Sequence, residues 1–130
     1  CYNEPLEGRF NTFAVEGATA GMCYIFDSLI ANNILSKGDK IALMSPIFTP
    51  YLEIPHLPRY NFEVINICAD EMDEEGRHTW QYPESEIDKL KDASIKALFV
   101  VNPNNPPSVA MRPQSVRRSS MWSRISIRIS

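Results

Sequence analysis

Asn102-Pro103-Asn104-Asn105-Pro106-Pro107 follows directly on Ile95-Lys96-Ala97-Leu98-Phe99-Val100-Val101, an apolar run that reads as a buried strand. Proline cannot continue a central strand and fixes its own φ, so the segment stops abruptly and presents short amide side chains from a stiff loop. In an open α/β sheet, ligands bind outside the carboxyl ends of the strands. Asn105 is placed as an amide able to hydrogen-bond such a ligand. Asn and Pro also punctuate many ordinary loops, and the motif alone reads as a turn before it reads as a site.

Two further segments bear on the choice. Phe13-Ala14-Val15-Glu16-Gly17-Ala18-Thr19-Ala20-Gly21-Met22 is a small-residue loop opening into Cys23-Tyr24-Ile25-Phe26-Asp27-Ser28-Leu29-Ile30-Ala31. Apolar residues recur there at helical spacing on nearly every side, which predicts a well-buried helix. Gly17 and Ala18 leave backbone N–H groups open to an anion, and Thr19 adds a hydroxyl. Free N–H groups and the helix dipole favour phosphate, while simple N-capping by Thr19 is the plainer alternative. Ser45-Pro46-Ile47-Phe48-Thr49-Pro50-Tyr51 follows the short apolar strand Asp39-Lys40-Ile41-Ala42-Leu43-Met44. An aromatic held between prolines past a strand end can stack on a flat ligand or plug the core beneath the loop.

In this order, a small-residue cup, a strand with Pro-x-aromatic and a strand with Asn-Pro-x-Asn-Pro resemble the fold-type I pyridoxal-phosphate enzymes. The resemblance implies that Gly17, Ala18 and Thr19 hold the cofactor phosphate. It implies likewise that Phe48 stacks on the pyridine ring and Asn105 bonds its phenolic oxygen. Most aminotransferases of the family continue Asn-Pro-Thr-Gly, whereas this chain has Asn105-Pro106-Pro107-Ser108. With Phe13–Gly17, Met22–Leu29, Pro46–Pro55 and His78-Thr79-Trp80-Gln81-Tyr82-Pro83, that ending resembles the family's aspartate 4-decarboxylase branch. The likeness runs from the first residues to about Arg112.

The implied chemistry is conversion of L-aspartate to L-alanine and carbon dioxide, with aspartate transamination as a side activity and pyridoxal 5'-phosphate as electron sink. Two alternatives stay open: a piece of another aminotransferase, or a small binding module with a basic tail. A fold-type I subunit has several hundred residues, and this chain has 130, so it reads as an incomplete internal piece. Cys1-Tyr2-Asn3-Glu4-Pro5-Leu6-Glu7-Gly8-Arg9 resembles the middle of the family sequence. The lysines are Lys37, Lys40, Lys89, Lys91 and Lys96, none in the Ser-x-x-Lys setting where the family forms its Schiff base. No catalytic residue is therefore assigned, and the chain alone is expected to be inactive. The parent is expected to be a cytoplasmic homo-oligomer built from dimers, acting on a small amino acid.

The elements that must position these residues alternate. Helix is predicted over 18–32, 50–54 and 83–91, and strand over 40–44, 62–67 and 96–101, which implies a mostly parallel sheet with covering helices. Residues 1–112 then form part of the cofactor-binding large domain, of class α/β. A net charge of -3 and a pI near 5.4 leave no footprint for nucleic acid. No apolar run reaches the length of a membrane span. The odd number of cysteines, 3, has no metal or disulfide spacing. Cys23 and Cys68 read as core, His56 and His78 as structural or surface, and Asp70–Gly76 as a solvated acidic loop.

Residues 113–130 change character. From Val116 on there is no acidic residue, only Arg, Ser, Ile, Met, Trp and Val. Synonymous codons exist for which Ser119–Ser130, shifted by one base, reads Ile-Val-Asp-Val-Val-Lys-Asn-Ile-Asn-Pro-Asn-Leu. That product resembles the helix and turn the family has here. The segment is read as an aberrant, frame-shifted tail, poorly ordered or a lone element with few core contacts, with Trp122 exposed.

Overall fold

A computed structural model describes residues 13–122 and 126–129. Helix α1 spans Ala18–Ala31, strand β1 Lys40–Ser45 and helix α2 Pro50–Glu53, continued by a 3-10 turn over Ile54–His56. Strand β2 spans Glu63–Cys68 and helix α3 Glu84–Ile87, continued by a 3-10 turn over Asp88–Lys91. Strand β3 spans Ile95–Val101, helix α4 Pro113–Trp122 and strand β4 Ser126–Ile129. The predicted elements up to Val101 are therefore present, with ends moved by one or two residues and the third helix split into an α and a 3-10 turn.

The four strands form one sheet in the order β2-β1-β3-β4, and every neighbouring pair is parallel. Parallel strands are covered on both faces and so read as unbroken apolar runs. Ile41, Ala42, Leu43 and Met44 of β1 are all fully buried. Ile41 and Leu43 join α1, α2, Ala97 and Phe99 on one face. Ala42 and Met44 join Leu98, Val100, Ile87 and Leu90 on the other. The register slips beside Lys40, where Lys40 pairs with Ile95 but Ile41 with Ala97. The extra residue changes the parity of β3, so Ile95 shares a face with Leu98 and Val100 rather than with Ala97.

Phe26 of α1 is the hub of the first face. Its ring lies 5.4 Å from Tyr60, 5.8 Å from Phe62 and 5.0 Å from Phe99, all tilted. The Tyr60 hydroxyl donates to Asp27 Oδ1 at 2.6 Å. Burial first, and then that bond, raise the Tyr60 hydroxyl well above its ordinary pKa. Gly38, at φ 84, turns the chain into β1 and donates its N–H to the Tyr60 carbonyl at 2.9 Å.

The tail departs from expectation. β4 is not a lone segment, because Ser126 to Ile129 pair in register with Leu98 to Val101. The cause is the open edge of β3, whose unpaired N–H and C=O groups template any segment of strand period. The Trp122 side chain and the opening residues Cys1–Arg9 lie outside the described residues. Among the described residues no helix is long and apolar enough to cross a membrane.

Phe26→Ala is expected to cost about 3–5 kcal/mol of stability, read from urea unfolding of the chain. A loss below about 1 kcal/mol would contradict Phe26 as the hub.

Candidate active site

The chain leaves β1 for β2 across the α2 face and leaves β2 for β3 across the α3 face. β1 and β3 nevertheless lie side by side. Their carboxyl ends are where the strand order reverses, the point at which open α/β sheets form a ligand crevice. A cavity of about 380 Å³ opens there, lined by Ala18, Gly21, Met22, Ile25, Phe48, Tyr51, Val101 and Asn105. Ala18, Phe48 and Asn105, from three separate segments, thus meet in one space.

Gly17 is the N-cap of α1, at φ 128 and ψ 165, a backbone region that glycine adopts without strain. No side chain caps the helix and its first turn holds no acidic residue. The N–H groups of that turn therefore lack an intrahelical partner. A Cβ at Gly17 would meet nothing within 4 Å, so the approach is open. Thr19 stands exposed inside the first turn and does not cap it. It and Gly17 flank the cavity rather than line it. Glu16, which precedes Gly17 in the chain, accepts the Tyr24 hydroxyl at 2.7 Å, which holds its pKa down.

Phe48 packs against the core with one side and lines the cavity with another. Its carbonyl accepts the Tyr51 N–H at 2.9 Å as α2 begins. Tyr51 was not singled out by the sequence. It is buried beside Phe99, lines the cavity, and its hydroxyl has no hydrogen-bond partner. Burial alone pushes that hydroxyl up to about 12. The signal was its place one helical turn after Phe48.

The loop after β3 divides its amides between two tasks. Asn105 is exposed to the cavity. Asn102 and Asn104 turn inward. Asn102 Oδ1 accepts the Met111 N–H and Asn104 Oδ1 the Val109 N–H, each at 2.9 Å. The Asn104 carbonyl accepts the Ser108 N–H at 2.7 Å. The peptide bonds Ser45-Pro46, Asn102-Pro103 and Asn105-Pro106 are cis. His78 is exposed and stacks on Trp80 at 5.3 Å. Cys23 and Cys68 are free thiols at intermediate exposure, and burial raises the pKa of Cys68. Among the described residues no cluster of His, Cys, Asp or Glu could hold a metal.

No family model matches the chain. Over 106 residues, 82% of the chain, it is 51% identical to the "Bifunctional aspartate aminotransferase and L-aspartate beta-decarboxylase" of a Pseudomonas species. The chain spans 19% of that relative. A tetra mutant of Thermus thermophilus aspartate aminotransferase superposes with a TM-score of 0.61 at 21% identity, over 84% of this chain and 29% of that one. Alanine aminotransferase from Pyrococcus furiosus gives 0.56 at 23%, over 78% and 26%. Cystalysin from Treponema denticola, which contains pyridoxal 5'-phosphate, gives 0.55 at 18%, over 75% and 23%. The fold is that of part of a fold-type I aminotransferase.

The loop carrying Asn105 ends at Arg112, whose guanidinium donates to both Glu71 carboxylate oxygens at 2.6 and 2.9 Å. Arg112 foremost holds the Glu71 carboxyl below its ordinary 4.5. Its contribution to the loop is complete above about pH 4.5 and is lost as the pH falls through the lower folded value. The protection of the Met111 and Arg112 amides from hydrogen exchange, relative to their intrinsic rates, should therefore fall below pH 4.5 in the unchanged chain. In Glu71→Gln it should be low already at pH 7 and show no such step. A step of equal size in both would assign it to another group.

Proposed function

We propose that the chain is the cofactor-phosphate and ring-contact segment of a pyridoxal-phosphate enzyme that converts L-aspartate to L-alanine and carbon dioxide, with aspartate transamination at the same site. The observation carrying this reading is that Ala18, Phe48 and Asn105 line one cavity at the carboxyl edge. The residues present fit the cofactor. An uncapped helix start with an open Gly17 suits a phosphate, and an aromatic face and an exposed amide suit a flat ring bearing an oxygen.

When bound, pyridoxal phosphate supplies an aldehyde that takes up the substrate amine and a ring that accepts electrons. The work of this chain is binding and orientation. The first-turn N–H groups at Ala18 and Thr19 hold the phosphate beside Gly17, and Phe48 fixes the plane of the ring. The Asn105 amide donates to the phenolic oxygen. Met22, Ile25 and Val101 supply an apolar wall that excludes water. Decarboxylation breaks the bond to the β-carboxylate of aspartate, and Cβ keeps the electron pair and takes a proton. Schiff-base lysine, pyridine partner and carboxylate-binding arginine belong to the rest of the enzyme. The assembly is a cytoplasmic homo-oligomer built from dimers. A plain aminotransferase is the second reading, against which Pro107-Ser108 stands where such enzymes have Thr-Gly.

We propose further that Ser119–Ser130 is read out of frame. α4 buries Ser115 and Ser119 beside Val116 and exposes Met121, so its inward face is not a matched apolar stripe. The shifted reading puts Ile at the buried position 119 and Asp at the exposed position 121.

The coding DNA past Arg112 should restore a reading frame whose full product releases one carbon dioxide per alanine formed from L-aspartate. A full product that transaminates aspartate without carbon dioxide would establish the second reading, and an unbroken frame through Ser130 would refute the slip. The 130-residue chain itself should bind pyridoxal 5'-phosphate reversibly. Stoichiometric borohydride trapping on one of its lysines would contradict the assignment of the lysine elsewhere.

A further inference from the structure

The loop that carries Asn105 hangs on a side chain from a different part of the chain. Gln81 is 7% exposed. Its Nε2 donates to the Ala110 carbonyl at 3.0 Å, and its Oε1 accepts the Arg112 N–H at 3.1 Å. A primary amide used at both ends imitates a strand neighbour, here for residues 110–112. The same residues bracket the inward amides of the loop, since Asn104 binds Val109 and Asn102 binds Met111. Asn105 stands inside this closed ring of hydrogen bonds, next to buried Asn104.

The segment behind Gln81 is itself anchored. The Gln81 carbonyl accepts the Glu71 N–H at 3.3 Å, and the Glu71 carbonyl accepts the Thr79 N–H at 3.0 Å. Thr79 Oγ1 and the Arg112 guanidinium converge on the Glu71 carboxylate. The neighbouring Tyr82 hydroxyl is buried without a hydrogen bond, as is Asn104 Nδ2. The Asn104 amide beside it partly offsets the burial that pushes the Tyr82 hydroxyl up to about 12. With both groups lacking a hydrogen-bond partner, the loop's attachment to this segment runs through the Gln81 bonds and the Arg112–Glu71 pair.

We propose that Gln81 is a positioning residue for Asn105, fixing through Ala110 and Arg112 where the Asn105 amide meets the cofactor's phenolic oxygen. This deepens the reading of the cavity as a pyridoxal-phosphate site and rests on it. A donated hydrogen bond favours the ionised phenol. Displacing Asn105 therefore raises the pKa of the bound cofactor's 3-hydroxyl, whereas a change that only lowers stability leaves it alone.

The test is a pH titration, by absorption, of pyridoxal 5'-phosphate bound to the full 130-residue chain. Asn105→Ala should raise the apparent pKa of the bound cofactor. Gln81→Met should raise it in the same direction by a smaller amount, up to about tenfold in proton affinity. Added to Asn105→Ala, it should change nothing further, because the two act through one contact. Gln81→Glu keeps the acceptor for the Arg112 N–H and loses the donor to Ala110, so it serves if the Met variant does not fold, with a shift of the same sign expected. Leu90→Ala, buried on the face away from the cavity, should lower stability without moving the titration. If Asn105→Ala moves the titration and both Gln81 variants leave it unchanged, the inference is overturned while the cofactor reading stands. If the unchanged chain binds no cofactor, the reading falls and the inference with it.

Discussion

The parallel pairing of β1 with β3 is the constraint on which the rest depends. β2 intervenes between them in sequence yet lies outside them in the sheet. The connection on either side of β2 must therefore run over a different face, and the carboxyl ends of β1 and β3 open onto a gap that no connection covers. Phe48 and Asn105 are the third and fourth residues beyond those two strands, so the pairing alone brings them together. α1 closes the third side because Phe26 and Met22 pack on Phe99 and the β1 core. The uncapped end of α1 then faces the gap.

Much of this was legible in the sequence because parallel strands announce themselves as apolar runs. Ile41–Met44 and Ala97–Val100 are buried on both faces, and no alternation was needed to find them. The ends of the strands were equally plain, since Pro46 and Pro103 follow them. The inward roles of Asn102 and Asn104 were not legible. Three asparagines in a four-residue stretch look alike in sequence, and only the closure on Val109 and Met111 distinguishes them. Gln81 was hidden for a related reason. Its partners are backbone groups of residues 110–112, and backbone acceptors carry no sequence signature. The N-capping alternative for Thr19 does not hold, because Gly17 takes the cap position and its φ of 128 suits a residue without Cβ.

The tail shows that regular secondary structure alone does not settle whether a segment was shaped to pack on this sheet. An alternating Ser-Ile-Arg-Ile stretch pairs with β3 because the edge of a parallel sheet accepts any extended backbone. Burial is the more discriminating signal. A helix that hides two serines beside Val116 and exposes a methionine at 76% lacks a matched apolar face. Its serine hydroxyls bond only within the helix, Ser119 Oγ donating to the Val116 carbonyl at 3.0 Å, while Arg118 ties it to Asp88 at 2.6 Å and to Glu84 at 2.9 Å. Secondary structure can form from a wrong reading frame, but a matched apolar face is much less readily produced by accident.

The central claim is that the carboxyl edge of β1 and β3 is a pyridoxal-phosphate site, and backbone amide chemical shifts on adding the cofactor address it most directly. The account predicts the largest changes at Gly17, Ala18 and Thr19, at Phe48 and at Asn105, with none at Asp39, Glu63 or Ile95 on the opposite edge. Changes confined to that opposite edge, or scattered over the surface lysines, would contradict it.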